Sequence, residues 1–323
     1  MVKIISKNQF YELSLNAFEK RKDCPYCHNC SSDVIGQIYL PNFFAYPVEK
    51  VKLNNQLSNN IHLLKCQNCG LLYKDLIISR ETLIQIYKGS KERYKYKSDN
   101  RYILQKLQIM KKISRREKQH ILDIGCHTGL FLMRAQEMGF ETSGIDFSDV
   151  AYDECKNFVN RYYYKGFLED VHFPTNTFDI VTAWDVFEHF YDLGTTLQKI
   201  YYSLKSKGYL FLETGNVTSF PAKLKSPNNW WYVSALAHFN FFNSFSARYI
   251  LNNMNFRIIT IDRVFHKSID EIGPIQISKS LLKSLLFYIS PKAYRYLSKI
   301  KGTSGEAAKL PWKDHIFIIA QKQ

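Results

Sequence analysis

The sequence predicts an α/β fold in which short buried strands alternate with amphipathic helices, and three observations predict it. From about residue 117 onward, apolar runs of strand length alternate with stretches of helical periodicity. The first run, "HILDI", breaks at Asp123, Gly125 and Gly129 and then turns helical. A second run, "TSGIDFS", follows about twenty residues later and ends on an acid, Asp146.

Taken in order, His120 to Ile124 has the character of a buried strand, and Leu130, Leu132, Met133, Ala135 and Met138 recur at helical spacing as far as Gly139. Glycine between them permits backbone angles closed to other residues and lets a ligand approach the main chain, where the helix offers free N–H groups. A plain strand-to-helix connection that happens to use glycine is the alternative. Asp146 ends the second strand with Ser148 as helix N-cap, and an acid there can accept both hydroxyls of a ribose. The turn reads G-x-x-x-G rather than G-x-G-x-x-G, which disfavours a nicotinamide cofactor. Tyr162 to Lys165 reads as strand three and "FDIVTAWDVFEHF" as strand four, running into Glu188 and His189. A helix over Leu193 to Leu204 leads to strand five, "GYLFLETGN". "FRIITIDRVF" and "DHIFIIAQ" read as the last two strands, with an insertion at about 266–312 between them.

With "LDIGCHTG", "GIDFS", "LEDVHFPTNTFDIVTAWDVFEHF" and "SKGYLFLETGN" in this order, residues 117 to 216 resemble the class I S-adenosylmethionine-dependent methyltransferases. The resemblance implies a Rossmann-like seven-stranded methyltransferase sheet over 117–323. It implies cofactor contacts from Asp123, Gly125, Cys126, Gly129, Asp146, Phe147 and Trp184, with Glu169 and Asp170 flanking the adenine. The family usually has a third glycine where this chain has His127, whose side chain must point away from the cofactor.

Five of the seven cysteines, Cys24, Cys27, Cys30, Cys66 and Cys69, lie near the amino terminus. "CPYC" and "CQNC" are paired C-x-x-C knuckles, a spacing that lets two thiolates on each turn grip one tetrahedral ion. Cys24, Cys27, Cys66 and Cys69 are therefore expected to hold a structural Zn2+ in a small ribbon over residues 1–80, with Cys30 and His28 as bystanders. Disulfides are disfavoured in a reducing cytoplasm. The start of the chain is charged throughout and reads as neither signal peptide nor membrane span, so a cytoplasmic location is expected.

The net charge of +15 and the basic stretch within 81–116 raise a nucleic-acid reading. Against it, Ile103, Leu104, Leu107, Met110 and Ile113 recur at near-helical spacing, as in a helical linker packed on the core. An RNA methyltransferase is therefore the second reading, and a catalytically silent binding protein with the cofactor fold the third.

After strand five, "NNWWYVSALAHFNFFNSFS" occupies the region beyond the strand ends where ligands bind in such sheets. It is similar to a methyltransferase subgroup with an amino-terminal zinc ribbon, frequent in polysaccharide and lipid-linked biosynthesis. The resemblance implies a small-molecule or lipid-linked, carbohydrate-type acceptor. His189 and His238 are the candidates for catalytic bases, with simple packing as the alternative for each. Residues 278–300 carry leucines flanked by lysines, a pattern that suits a peripheral contact with the inner membrane face, a cap on the core or a dimer contact equally.

Overall fold

The computed structural model describes residues 2–4, 11–38, 43–44, 51–53, 61–88, 100–114, 118–264 and 313–323. The expected insertion, with the 278–300 segment, lies outside them.

The centre of the molecule is a seven-stranded mixed sheet. Its strands are β1 (His120–Ile124), β2 (Glu141–Asp146), β3 (Tyr163–Lys165), β4 (Phe178–Trp184), β5 (Leu204–Gly215), β6 (Phe256–Val264) and β7 (His315–Lys322). They lie in the order β3-β2-β1-β4-β5-β7-β6. The first five run parallel, while β7 is antiparallel to both β5 and β6. Every residue of β1 is buried, as is β4 from Phe178 to Ala183, which is why these strands read as unbroken apolar runs. Strand β5 starts earlier than its apolar pattern does: Leu204 already pairs with Phe178, and the polar Lys205 to Lys207 stretch belongs to an irregularity in the ladder.

Helix α1 (Arg80–Lys88) and helix α2 (Asn100–Ile113) precede the sheet. Ile103, Leu107 and Met110 of α2 are buried against Ile121, Phe131, Phe211 and Phe317, so its apolar stripe packs on the core. Leu104, on the edge of that stripe, is exposed. Two of the basic residues of α2 meet side chains of the core region, one of them buried. Lys106 is buried and paired with Glu213 at 2.9 Å, and Lys111 lies 5.6 Å from the Phe140 ring centre. Helices α3 (Leu130–Glu137), α4 (Asp149–Cys155), α5 (Leu193–Ser203) and α6 (Ser244–Asn253) follow their strands. Ser148 caps α4 through Ala151 N–H, as its position predicts.

The amino-terminal part is built of small sheets. One has four antiparallel strands in the order Asn240–Phe241, Leu72–Lys74, His62–Cys66, Ser32–Gln37. Its outer strand, Asn240–Phe241, comes from the segment after β5. Cys24, Cys66, Cys69, Leu71 and Tyr73 accordingly share one buried core with Leu122, Val181 and Leu212 of the large sheet. Trp230, fully buried, packs with Leu63, Ile78 and Leu83 of the amino-terminal part. A side chain of that size contributes about 2–3 kcal/mol of burial.

Candidate active site

Gly125 and Gly129 sit after β1 with φ of +70° and +76°, in the left-handed region that only glycine enters freely. A Cβ on Gly125 would lie 2.6 Å from Val186 Cγ2, and one on Gly129 2.8 Å from Cys155 Sγ. His127 takes the third position of the turn with φ +48°, a conformation an L-residue holds only at some cost. What fastens it is Asp146: Oδ2 accepts from the His127 N–H at 3.1 Å, and Oδ1 from the Ser148 N–H at 3.0 Å. The half-buried Asp146 carboxylate therefore stands at the junction of the two strand ends and orders both loops. Asp123 is buried beneath the turn and accepts from Thr182 Oγ1 at 2.6 Å, its carboxyl pushed up to about 7 by burial. Cys126 is buried with its sulfur 3.5 Å from that of Cys155.

The remaining expected cofactor residues are distributed differently. Phe147 stacks on Phe167 at 4.9 Å with 6° between the planes and meets Tyr87 at 4.5 Å. Glu169 accepts from the main-chain N–H groups of Tyr191 and Asp192 at 2.8 and 3.3 Å. Exposed Asp170 receives both bonds from Arg80 Nη1, at 2.8 and 2.9 Å. The Arg80 guanidinium also covers the rings of Phe167 and Tyr191. Both acids are thus tied to α1 and the loop after β4. Trp184 packs between Phe131 and Phe317, with Lys106 Nζ 3.7 Å from its ring centre. Its Nε1 is buried with no hydrogen-bond partner.

The two expected histidines do come together, their rings 4.8 Å apart at 79°. His189 Nδ1–H donates to Ala237 O at 2.7 Å and His238 Nδ1–H to Tyr232 O at 2.8 Å, since a carbonyl can only accept. Desolvation, with His189 alongside, holds His238 well below the ordinary histidine range, so it is neutral at pH 7. Glu188 joins them. It is fully buried, its Oε2 accepts from Thr214 Oγ1 at 2.9 Å, and burial beside Asp185 pushes its carboxyl up to about 8. Tyr232 braces the same corner, with Gly215 N–H donating to its Oη at 2.8 Å; a Cβ on Gly215 would lie 2.4 Å from its ring.

Two basic residues of the amino-terminal part hold these loops. Lys74 Nζ, buried, donates to Ala235 O at 2.6 Å. Arg21 donates to Asn240 Oδ1 at 3.0 Å and to the carbonyls of Phe190 and Tyr191. Glu188, Tyr232, Lys74 and Arg21 were missing from the residues expected at the site. Glu188 had one signal, its place beside His189 at a strand end.

At the amino terminus the sulfurs of Cys24, Cys27, Cys66 and Cys69 all lie within 4.8 Å of one another, with Cys24–Cys69 at 3.6 Å and Cys27–Cys66 at 3.5 Å. Bonds of about 2.3 Å from one zinc to four sulfurs require S–S edges of about 3.8 Å, so the set fits a tetrahedral ion. The knuckles match each other: His28 N–H donates to Cys24 O and Gly70 N–H to Cys66 O, both at 3.0 Å, and both donors have positive φ. Cys30 is exposed and stands outside the set. Pro25 O, inside the first knuckle, accepts from the Leu193 and Gly194 N–H groups at the start of α5.

Residues 94–261 match the family described as methyltransferase domain. Over 102 residues the chain is 29% identical to the malonyl-[acyl-carrier protein] O-methyltransferase of Calditerrivibrio nitroreducens, an alignment covering 30% of this chain and 39% of that protein. The chain thus spans well under half the length of that curated relative. Among solved structures, an S-adenosylmethionine dependent methyltransferase from Mesorhizobium loti is similar at 13% identity and TM-score 0.44, covering 68% of this chain and 96% of that one. Phosphoethanolamine N-methyltransferase 2 of Haemonchus contortus, in complex with S-adenosyl-L-methionine, is 20% identical with TM-score 0.45, covering 68% and 52%.

Proposed function

Because the chain belongs to the methyltransferase domain family, matched over residues 94–261, we propose that it is an S-adenosylmethionine-dependent methyltransferase acting on a small-molecule or lipid-linked, carbohydrate-type acceptor. The observation that carries this reading is the meeting of two features at neighbouring strand ends. One is the glycine turn with Asp146; the other is the Glu188, His189 and His238 cluster. They are joined by Val186, which packs on Gly125.

When bound, S-adenosylmethionine supplies an electrophilic methyl group on a sulfonium. Asp146 accepts ribose hydroxyls at its half-exposed carboxylate, and the positive φ angles of Gly125 and Gly129 bring main chain against the rest of the cofactor. Placement of the acceptor within attack distance contributes most of the rate in such a displacement. The loop of Trp230 to His238 positions the acceptor, and its proton leaves at the Glu188, His189 and His238 cluster. Phe147 and Phe167 form the apolar wall beside the adenine, with Glu169, Asp170 and Arg80 behind them.

The four cysteines hold a structural Zn2+ in this reading, since four thiolates leave no open position. The buried ion pair of Lys106 with Glu213 favours a packed helix over an RNA footprint. Among the described residues no helix is long and apolar enough to cross a membrane. A cytoplasmic location, with a peripheral contact through 278–300, completes the proposal. Calorimetry with S-adenosylhomocysteine tests its centre: binding is expected, and a folded wild type that binds none would overturn it.

A further inference from the structure

Glu188, His189 and His238 each place one ligating atom within 4.8 Å of the other two. How each is held matters more than the distance. His189 and His238 each commit Nδ1–H to a main-chain carbonyl, which leaves Nε2 as the coordinating nitrogen of the neutral ring. Metal-ligating histidines are held in this way, by an outer acceptor that fixes tautomer and ring plane. His189 Nε2 faces Glu188 Oε1 at 3.8 Å. That oxygen is buried without a hydrogen-bond partner, while its twin, Oε2, is fixed by Thr214. A buried carboxyl oxygen without a partner is costly, and a cation that displaces the carboxyl proton removes the cost. The nearby acid, Asp185, is engaged by His315 Nε2 at 3.3 Å, which singles out Glu188 as the carboxylate facing the imidazoles.

We infer that Glu188, His189 and His238 form a binding site for a first-row divalent cation, manganese included, separate from the four-cysteine site. Two imidazoles and one carboxylate suit such ions better than calcium or magnesium, and they leave coordination positions open. Drawing the donors to about 2.1 Å needs only a small closure of side chains on two loops. The inference deepens the methyltransferase reading: it rests on that reading for what the ion does, holding and polarising an acceptor oxygen so that its proton passes to water at the cluster rather than to a coordinated histidine, and on side-chain geometry for the ion itself. An acceptor able to chelate through neighbouring oxygens is the class this site takes.

The test titrates the full chain, prepared with one zinc per chain so that only the four cysteines are filled, with manganese chloride, following loss of the free Mn2+ signal by electron paramagnetic resonance. One Mn2+ per chain is expected, since manganese does not displace zinc from thiolates. Glu188→Gln and His238→Gln should each weaken it by at least about 100-fold, because loss of an outer partner alone typically costs ~10–100-fold. Zinc content and S-adenosylhomocysteine affinity should stay unchanged. Thr214→Val, which removes only the outer donor, should weaken Mn2+ by about 10–100-fold and covers the case in which Glu188→Gln fails to fold. A wild type that takes up no Mn2+, or variants that bind it as wild type does, would overturn the site. Loss of S-adenosylhomocysteine binding by wild type would instead sink the methyltransferase reading, and the manganese result would be read independently.

Discussion

The described residues carry two clusters of metal-type donors, and they differ in every respect that decides what a bound ion does. Cys24, Cys27, Cys66 and Cys69 offer four like, soft donors from two matching knuckles, largely buried and spaced for one tetrahedron. Glu188, His189 and His238 offer three mixed donors from two loops at the end of the parallel strands, each steadied by an outer hydrogen bond. A closed shell of thiolates can only fasten chain segments together, whereas a three-donor set leaves positions for a reactant. On the proposed reading, the first cluster would shape the molecule and the second would serve its chemistry.

The sharpest break of that contrast is Cys66→Ser. Because metal binding in such ribbons is folding free energy, it should release the zinc and lower the melting temperature markedly, read by metal analysis and calorimetry. Full zinc retention in this variant would remove the structural assignment.

A histidine outside either cluster supplies the control. His120 is buried at the start of β1, its ring nitrogen 2.8 Å from Ser143 Oγ, and burial lowers it from 6.5 to about 4. Above 6.5 it is neutral folded or unfolded and costs nothing. As pH falls from 6.5 to 4, the unfolded chain takes up a proton the folded chain refuses, so stability drops by about 3 kcal/mol. Raised Asp123 works in the opposite sense over part of that range, so the comparison is between proteins. His120→Asn should gain about 3 kcal/mol relative to wild type between pH 6.5 and 4 in urea unfolding. A constant difference would deny the buried neutral state.

Asp146→Ala should weaken S-adenosylhomocysteine by about 10–100-fold in calorimetry, the worth of hydrogen bonds to a charged group. Unchanged affinity would place the ribose elsewhere. Smallest of all, Cys30→Ser should leave zinc content and melting temperature within error, since this sulfur is exposed and outside the cluster. A lost zinc there would redraw the ligand set.

What was legible in the sequence is what short-range pattern encodes. The glycine turn, the acid ending β2, the buried runs of β1 and β4 and the paired knuckles each fit within a few consecutive residues. Longer-range pairings were not. Arg21 and Lys74 act on main-chain carbonyls, which carry no residue-type signature. Arg80 draws Glu169 and Asp170 into ion pairs that no local spacing announces. Lys106 covers Trp184 from α2, a cation–π contact that no local spacing announces. Glu188 was visible beside His189, but its convergence with His238 depends on how the acceptor loop folds back.

That folding back has a consequence for how the protein is made. Tyr73 pairs with Asn240 and Leu72 with Phe241, one strand lying before β1 in the chain and the other between β5 and β6. On the ribosome, the amino-terminal module emerges first and waits with a bare strand edge until most of the chain has been synthesised. A nascent chain arrested before residue 240 should therefore display that edge to chaperones or to other nascent chains. Completion of the small sheet coincides with delivery of the loop that carries His238.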